Sequence, residues 1–308
     1  MKLGFSLPTA GEWATPENQV RIAQRAEALG YDSLWVFQRL LYALEPKNPY
    51  PPAPGPRWPK SFERVLDPIV TLAYVAGATR RIRLGTSVLI MPFYTPVVLA
   101  KQLATLDVVS GGRLDVGLGL GWSMDEYAAV GMPYERRGKR GDEFLRCLRT
   151  IWTEDVVEFH GEFYHVPKSR VEPKPVQKPH PPITIGGYGS TVVHRAVTLG
   201  DGFNGGNMPM DRVVPVVREV RAAAEAAGKD PRTLHIVCRG TFLVHDSPQG
   251  TERRPLFGTI GEIREDIQRY AEAGLTELFL EANFRPHGAS MEHALETMEA
   301  LAPDRSRH

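Results

Sequence analysis

Short apolar runs and longer amphipathic segments alternate along the chain. The runs are rich in β-branched and aliphatic residues, and most are apolar at consecutive positions rather than at every second one. This pattern is typical of parallel strands that are buried on both faces of a sheet. The predicted strands are Leu3–Leu7, Ser33–Phe37, Ile82–Ile90, Leu114–Leu118, Ile183–Ile185, Gly202–Asn204, Leu234–Cys238 and Glu277–Leu280.

Helix signals lie between most of these runs. Thr15-Pro16, Asp67-Pro68 and Thr95-Pro96 each place an N-cap side chain before a proline, whose missing N–H costs nothing at the first helical position. The first helix is predicted over about 16–29, with Gly30 in a left-handed conformation at its end. Strands that alternate with helices over this length predict an α/β fold, either a closed parallel barrel or an open doubly wound sheet.

Two stretches interrupt the alternation. Residues 42–60 are rich in proline, so they form neither a helix nor a central strand. They follow the second strand and are predicted to lie over the mouth of a barrel, either as an active-site lid or as an ordered surface loop. Residues 153–182 are predicted to contain a small hairpin, Val156–Val166 with a turn at Gly161, and a stiff proline-rich connector.

The composition is that of a globular protein, and we expect one domain over 1–308. The chain is 42% hydrophobic and 24% charged, with a net charge of +1 and interspersed charges. Nucleic acid is therefore not an expected partner. No apolar run could span a bilayer, and no signal peptide precedes the first strand, which predicts a cytoplasmic protein without a membrane partner. Cys147 and Cys238 lie far apart and are expected to be reduced core residues.

Several common catalytic motifs are missing from the sequence. The nine histidines are scattered and form no HExxH pattern, so a metal site is not expected. Neither a G-x-S-x-G turn nor a P-loop lysine is present, which removes the usual support for a hydrolase or a kinase.

Three glycine clusters stand at the ends of predicted strands. Gly117–Gly121, followed by Trp122, differs from the dinucleotide fingerprint because its third glycine comes one residue early. Such a run either lets backbones pack closely or leaves a bare strand end against which a flat ring can lie. Gly186-Gly187, before a helix predicted from about Ser190, and Gly205-Gly206 at the next strand end predict a phosphate cradle made of backbone N–H groups.

Short motifs occur in a fixed order along the chain: Gly30–Trp35, Leu84–Leu89, Pro96–Gln102, Ala104–Asp107, Ser110–Arg113, Gly117–Gly121 and Ala273–Leu275. As an ordered set they resemble the luciferase-like monooxygenases, specifically the branch that uses the deazaflavin coenzyme F420. The resemblance implies a (β/α)8 TIM barrel with insertions after strand 2 and between the fourth and fifth barrel units, and with the cofactor ring at the carboxyl-terminal mouth. It is less specific for the kind of flavin, so FMN is the alternative cofactor.

The resemblance also implies individual site residues. A non-prolyl cis peptide bond is expected behind the cofactor ring at Ser87-Val88, and a phosphate-binding turn is expected at Gly186-Gly187. The residues expected to bind the cofactor are Trp35, Ser87, Val88, Gly119, Gly121, Trp122, Gly186, Gly187, Gly205 and Gly206.

Two places in the chain depart from the family pattern. Many relatives end the second strand in an acidic residue and a histidine that handle protons, whereas this chain has Gln38 and Arg39. Sugar-phosphate dehydrogenases of the family place a glutamate where this chain has Trp122. Glutamine does not titrate and arginine stays protonated, which argues against sugar-phosphate oxidation. Two roles remain open for Arg39: it holds an anionic group of a ligand, or it pairs with a surface carboxylate.

The predicted function is that of an F420-dependent oxidoreductase, which transfers a hydride between the deazaflavin and an unsaturated or carbonyl-bearing small molecule. The alternatives are a two-component FMN-dependent monooxygenase and a flavin-binding barrel without catalysis. No catalytic residue is assigned, because Glu126 and Tyr127, the nearest candidate acids, lie on a predicted helix where such residues are more often structural. A small-molecule substrate is the expected partner, and a homodimer is compatible with the sequence.

Overall fold

The computed structural model describes residues 1–51, 57–284 and 290–303. Most of the strands lie in one sheet that closes on itself. The strands are β1 (Lys2–Ser6), β2 (Ser33–Val36), β3 (Arg83–Thr86), β4 (Leu89–Ile90), β5 (Leu114–Gly119), β6 (Val157–His160), β7 (His165–Ser169), β8 (Ile183–Gly186), β9 (Gly202–Gly205), β10 (His235–Thr241), β11 (Leu243–Val244), β12 (Phe257–Gly258) and β13 (Glu277–Glu281).

The sheet is a closed parallel barrel of eight strands in the described part of the chain. Its order is β3-β2-β1-β13-β10-β9-β8-β5-β4, where β3 and β4 are two segments of the third barrel strand, and the pairing of β3 with β5 closes the ring. All of these pairings are parallel. The eight predicted strands are confirmed. Because the sheet closes on itself, the fold is the predicted barrel and not the alternative open doubly wound sheet. The third strand, predicted as one run, is interrupted at Ser87-Val88.

Helices surround the barrel, and all three predicted helix starts are confirmed. The side chains of Thr15, Asp67 and Thr95 accept backbone N–H groups at the starts of their helices. Gly30 ends the first helix with a φ of 88°. The helices are α1 (Pro16–Leu29), α2 (Pro68–Ala76), α3 (Pro96–Ser110), α4 (Met124–Ala129), α5 (Arg137–Thr153), α6 (Ser190–Thr198), α7 (Met210–Ala226), α8 (Ile260–Glu272) and α9 (Met291–Ala300), with short 3-10 helices at Lys60–Glu63, Met91–Phe93 and Pro231–Thr233.

The insertion between the fourth and fifth barrel units is also confirmed. Strands β6 and β7 form an antiparallel hairpin. Glu143 of α5 fixes the hairpin turn, because its carboxylate accepts the backbone N–H groups of Phe163 and Tyr164, both at 2.7 Å. The connector that follows contains two cis prolyl bonds, at Pro173 and Pro179. It leads the chain back to β8.

Trp35 fills the barrel interior. Its ring is 1% exposed and stacks on Phe279 with 5.0 Å between the ring centroids. A Cβ atom on Gly85 would lie 2.5 Å from the Trp35 ring, so that position accepts only glycine. The indole Nε1 donates to Glu277 at 2.9 Å, at the amino-terminal start of β13. Trp35, a predicted cofactor contact, therefore lies in the core, because the indole is held towards the amino-terminal half of the barrel.

Glu277 is a buried carboxyl in the barrel. It also pairs with the Ser33 hydroxyl. Burial, together with the nearby Asp115 carboxylate, raises the pKa of Glu277 to about 7. A proton on this group therefore stabilises the folded barrel near neutral pH.

The two cysteines are free and buried, as predicted. Cys147 faces the core from α5, and Cys238 lies in β10. Among the helices in the described ranges, none combines the length and the apolar character that crossing a membrane requires.

Candidate active site

A cavity of about 540 Å³ opens at the carboxyl-terminal mouth of the barrel. Its walls come from the carboxyl-terminal ends of strands, the segments that follow them, and the starts of helices α5 and α6. Barrel enzymes carry their active sites at this face. The described lining residues are Phe37, Gln38, Arg39, Tyr50, Pro51, Phe62, Ser87, Val88, Ile90, Gly119, Leu120, Gly121, Trp122, Arg136, Arg137, Gly138, Gly186, Gly187, Tyr188, Thr191, Val192, Arg195, Asn204, Gly206, Arg239 and Phe284.

One wall of the cavity is formed around Val88. The Ser87-Val88 peptide bond is cis, as the family resemblance implied. A Cβ atom on Gly119 would lie 2.7 Å from one methyl group of Val88, and a Cβ atom on Gly186 would lie 2.6 Å from the other. These two glycines therefore leave the space that the Val88 side chain occupies between β5 and β8. The result is an apolar surface without projecting side chains from either strand.

Neutral hydrogen bonds fix the polar atoms of this wall. The Ser87 hydroxyl donates to Asn204 Oδ1 at 2.8 Å. The amide nitrogen of Asn204 in turn donates to the Thr184 hydroxyl at 3.1 Å. Because these partners satisfy one another, the wall holds its shape without a ligand.

The glycine run at the end of β5 packs against the third barrel strand. A Cβ atom on Gly117 would lie 1.9 Å from the Thr86 carbonyl oxygen, and one on Gly121 would lie 2.7 Å from the Ile90 side chain. Close backbone packing, one of the two interpretations of the run, is thus its structural cause. Gly119 and Gly121 line the cavity as well. The glycines that allow the third barrel strand to pack closely therefore also leave the end of β5 without projecting side chains.

Two helix starts face the cavity on its β8 side. The turn after β8 contains Gly187, with a φ of 144°, and leads into α6, from which Thr191 and Val192 line the cavity. The start of α5 contributes Arg137 and Gly138. Exposed N–H groups and the positive end of the helix dipole make such starts favourable for anions. The phosphate cradle at Gly186-Gly187 stays a prediction.

An ion pair joins helices α5 and α6. Arg195 Nε of α6 lies 2.5 Å from an oxygen of Asp142 in α5, and the two side chains are 4% and 32% exposed. The same guanidinium donates to the Gly138 carbonyl oxygen at 3.4 Å. Arg195 therefore fixes the two helices relative to each other and does not offer a free charge.

The end of β2 carries the first departure from the family pattern. Arg39 Nη1 lies 2.8 Å from Glu126 Oε2, and the two side chains are 7% and 1% exposed. Glu126 also accepts the Leu40 backbone N–H at 2.7 Å. Burial raises the pKa of Glu126, although Arg39 and this N–H group oppose the shift. Of the two roles considered for Arg39, the structure shows pairing with a carboxylate. That carboxylate is buried, whereas a surface carboxylate was expected.

Gln38 and Tyr127 have structural partners. The side-chain oxygen of Gln38 accepts the Ile90 N–H at 2.8 Å, and its nitrogen donates to the Tyr94 hydroxyl. The Tyr127 hydroxyl donates to the Leu120 carbonyl oxygen, and burial raises the pKa of that hydroxyl. Neither Tyr127 nor Glu126 is among the described residues that line the cavity.

The proline-rich segment lies over the mouth, as predicted, in its described parts. Tyr50 and Pro51 line the cavity, while residues 52–56 are outside the described residues. Asn48 fixes the segment by donating to the Trp122 carbonyl oxygen at 3.0 Å. The ring of Trp58 packs edge-on against Trp122, with 4.9 Å between centroids.

Sequence reasoning missed Arg239, Tyr188 and Phe284, which all line the cavity. Arg239 lies on β10, and its guanidinium stands over the Phe284 ring at 5.0 Å from the centroid. A charged residue near the end of an otherwise apolar strand was the available signal. It is a weak one, because the partners of an arginine are not visible in its own strand.

The structure brings most of the predicted site residues to one place. Gly205 and Trp35 are the exceptions: a Cβ atom on Gly205 would meet Met208 and Phe203, so that glycine serves packing outside the cavity. Among the described residues, no group of three or more potential metal ligands gathers. The predicted residues that line the cavity are Ser87, Val88, Gly119, Gly121, Trp122, Gly186, Gly187 and Gly206.

Comparisons with known proteins agree with this fold. A family model described as luciferase-like monooxygenase matches residues 1–254. An FMNH(2)-dependent dimethylsulfone monooxygenase of Pseudomonas putida is 35% identical over 163 residues, which are 52% of this chain and 45% of that protein. An F420-dependent glucose-6-phosphate dehydrogenase of Amycolatopsis mediterranei (strain U-32) is 30% identical over 246 residues, 77% of this chain and 68% of that protein. The fold is similar to that of an F420-dependent secondary alcohol dehydrogenase solved with an F420-acetone adduct, with a TM-score of 0.80, 18% identity, and coverage of 98% of this chain and 99% of that chain.

Proposed function

The chain belongs to the luciferase-like monooxygenase family, and from this premise we propose that it is an F420-dependent oxidoreductase acting on an unsaturated or carbonyl-bearing small molecule. The deazaflavin, when bound, supplies the hydride chemistry, and the protein supplies binding, orientation and a dry pocket. We place this activity in the cytoplasm, in agreement with the two free buried cysteines.

The residues at the mouth fit a flavin-type cofactor. The apolar wall of Val88, Gly119 and Gly121 suits a flat ring, and the turn at Gly186-Gly187 suits a phosphate. A side chain on Gly187 would be strained, because its φ is 144° and a Cβ atom would lie 3.0 Å from Val192. These features support either F420 or FMN, since both carry a flat tricyclic ring and a phosphate.

The charge at the start of α5 is the observation that favours F420. Arg136, Arg137, Lys139 and Arg140 lie in and just before the first turn of this helix, which contains no acidic residue. Arg136 pairs with Glu162 of the hairpin, so among the described residues the unpaired positive charge lies on the other three. Cations at a helix start oppose the helix dipole at a cost of about 0.3–1 kcal/mol each, so this arrangement does not serve helix stability. It does suit a ligand whose negative charge continues beyond its phosphate. The side chain of F420 carries carboxylates beyond the phosphate, whereas FMN ends at it.

The FMN-dependent monooxygenase stays the second candidate. It is favoured by the identity to the dimethylsulfone monooxygenase, which is 35% over the matched residues. A flavin-binding barrel without catalysis is the third, because the family's usual proton-handling residues are replaced here by Gln38 and Arg39. Turnover with and without oxygen separates the two enzymes, because reduced deazaflavin donates hydride with little reactivity towards oxygen.

Side-by-side titration of the purified chain with F420 and FMN tests the proposal. We expect F420 to bind more tightly than FMN, and Gly187→Val to weaken the binding of F420 at least tenfold, or about 1.4 kcal/mol. Lys139→Glu, at an exposed position, should weaken the binding of F420 severalfold at low salt and leave the affinity for FMN nearly unchanged, because only F420 carries charge beyond the phosphate.

Tight FMN binding with no measurable F420 binding would overturn the deazaflavin assignment and leave the monooxygenase. An unchanged F420 affinity in Gly187→Val would instead show that the phosphate does not bind at the Gly186-Gly187 turn.

A further inference from the structure

The Arg239 guanidinium makes no hydrogen bond and no ion pair within 4 Å among the described residues, although the Glu281 carboxylate lies near enough to interact with its charge. Its Nε is buried and makes no hydrogen bond there. Oε1 of the nearby Glu281 accepts both the backbone and the side-chain N–H groups of Asn283 at 2.8 Å. Arg239 is half-buried, and its enclosed Nε–H is costly to leave without an acceptor because it has lost water.

The other described arginines of the cavity are already occupied or lie at the cofactor side. Arg39 pairs with Glu126, Arg195 with Asp142, and Arg136 with Glu162. Arg137 stands 3.8 Å from the centroid of the Tyr134 ring, at the start of α5 beside the phosphate cradle. Arg239 lies on β10, which β9 separates from the cradle strand β8.

The surroundings of Arg239 leave room for an anion. The Phe284 ring covers one side of the guanidinium, at 5.0 Å from the centroid. Gly206 lets the Tyr188 hydroxyl come close to Arg239: a Cβ atom on Gly206 would lie 2.6 Å from that hydroxyl and 3.7 Å from Arg239 Nη2. The Tyr188 hydroxyl and the guanidinium therefore offer donors to the same small region of the cavity.

Flat aromatic side chains line the cavity next to this region. Phe284 packs on Phe37 with 4.9 Å between centroids and on Phe62 with 5.7 Å. Tyr50 packs on Trp122 at 5.3 Å. Rigid aromatic walls favour a flat apolar ligand body over a sugar, which would need many hydrogen-bond partners.

We infer that Arg239, with the Tyr188 hydroxyl, binds the carboxylate of the substrate, and that the substrate is a flat, largely apolar carboxylic acid with an unsaturated or carbonyl group. The planar guanidinium fork matches a carboxylate with two parallel hydrogen bonds. This inference rests on the proposed function for the chemistry, but the anion site itself is independent of which cofactor binds.

Calorimetric titration of the full chain with trans-cinnamate and with its uncharged analogue cinnamamide tests the site. We expect cinnamate to bind at least tenfold more tightly than cinnamamide to the unaltered chain, both with and without cofactor. Arg239→Met should remove this difference, and Arg239→Lys should retain part of it because the charge stays and the fork is lost. Arg137→Met is the matched control, since it should weaken the binding of the cofactor and leave the affinity for cinnamate unchanged.

Thermal unfolding separates this role from a structural one. Arg239 makes no hydrogen bond or ion pair within 4 Å among the described residues, and only its longer-range attraction to the buried Glu281 carboxylate is lost on substitution. We therefore expect Arg239→Met to lower the unfolding temperature by less than the loss of Arg39 from its close pair with Glu126 does. Equal affinities for cinnamate and cinnamamide in the unaltered chain would overturn the inference. So would an Arg239→Met chain that loses cofactor affinity while it still prefers cinnamate. Failure of F420 to bind would overturn the proposed function alone, because the preference for cinnamate is measured without cofactor as well.

Discussion

The ion pair between Arg39 and Glu126 gives the sharpest test of how the mouth of the barrel is held. Both side chains are nearly inaccessible, at 7% and 1% exposure, and the two charges are 2.8 Å apart. Arg39→Met keeps most of the side-chain volume and removes the cation, which leaves the Glu126 carboxylate with backbone N–H groups of Leu40 and Leu41 as its described hydrogen-bond partners. The substitution therefore places an uncompensated carboxylate in the protein.

Removing one partner of a buried pair costs about 3–5 kcal/mol. The entropy of unfolding for a chain of this length is about 0.6 kcal/mol per degree, so the melting temperature of Arg39→Met should fall by about 5–8 °C. Glu126→Gln in the same chain removes the orphaned charge and keeps an acceptor for Leu40 N–H. The double variant should regain more than half of the loss, and differential scanning calorimetry at pH 8 measures all three chains.

The pH dependence gives a further check on the same variant. Without Arg39 the pKa of Glu126 rises further, so Arg39→Met should lose less stability at pH 5, where the carboxyl takes up a proton, than at pH 8. If Arg39→Met melts within a degree of the unaltered chain at pH 8, the pair does not stabilise the mouth. Arg39 would then be free for the ligand, which is the role that the ion pair argues against.

Two further predictions concern the titrating groups. Burial raises the pKa of Glu277 to about 7 from an ordinary value of 4.5, so its contribution to stability is present below about pH 4.5 and is lost as the pH rises through 7, by about 3 kcal/mol in all. Glu277→Gln should therefore melt at a higher temperature than the unaltered chain at pH 8 and show a flatter pH dependence; a lower melting temperature at pH 8 would contradict this. Under the proposed function, reductase turnover of an enone should change little between about pH 6 and 8, and Tyr127→Phe should leave the profile unchanged, because Tyr127 does not line the cavity. A steep bell-shaped profile that collapses in Tyr127→Phe would identify a protein acid that this reasoning missed.

The sequence predicted the barrel well because each strand and helix signal is local. An N-cap and proline before α2, or a continuous apolar run such as Leu114–Leu118, depends on neighbours within a few residues. The break in the third strand was visible only through the family resemblance. Its cause is non-local, because Val88 needs Gly119 and Gly186, which lie on two other strands, to leave it space.

The glycine positions show how a correct location can have a different cause. Gly119 and Gly121 line the cavity as expected, yet what requires glycine there is the approach of Val88 and Ile90. For Trp35 the predicted strand is correct but the predicted cofactor contact is not observed. Its indole points into the barrel, where Gly85 and Gly4 leave space for it. A one-dimensional pattern cannot distinguish these cases, because inward and outward directions in a barrel depend on the neighbouring strands.

Arg39 and Arg239 show most clearly that the partner of a side chain, and not its place in the sequence, decides its role. The sequence singled out Arg39, because family members hold other residues there, and passed over Arg239. What decides their roles is the availability of a carboxylate. Glu126 lies 87 positions from Arg39 and pairs with it, whereas among the described residues no carboxylate lies within 4 Å of the Arg239 guanidinium, and Oε1 of the nearby Glu281 accepts the N–H groups of Asn283. The described lining of the cavity contains arginines and tyrosines but neither a carboxyl group nor a histidine. A pocket of this kind stabilises negative charge on a bound molecule and has no strong protein base or acid in the lining described, so water or a tyrosine hydroxyl must supply any proton that the reaction needs.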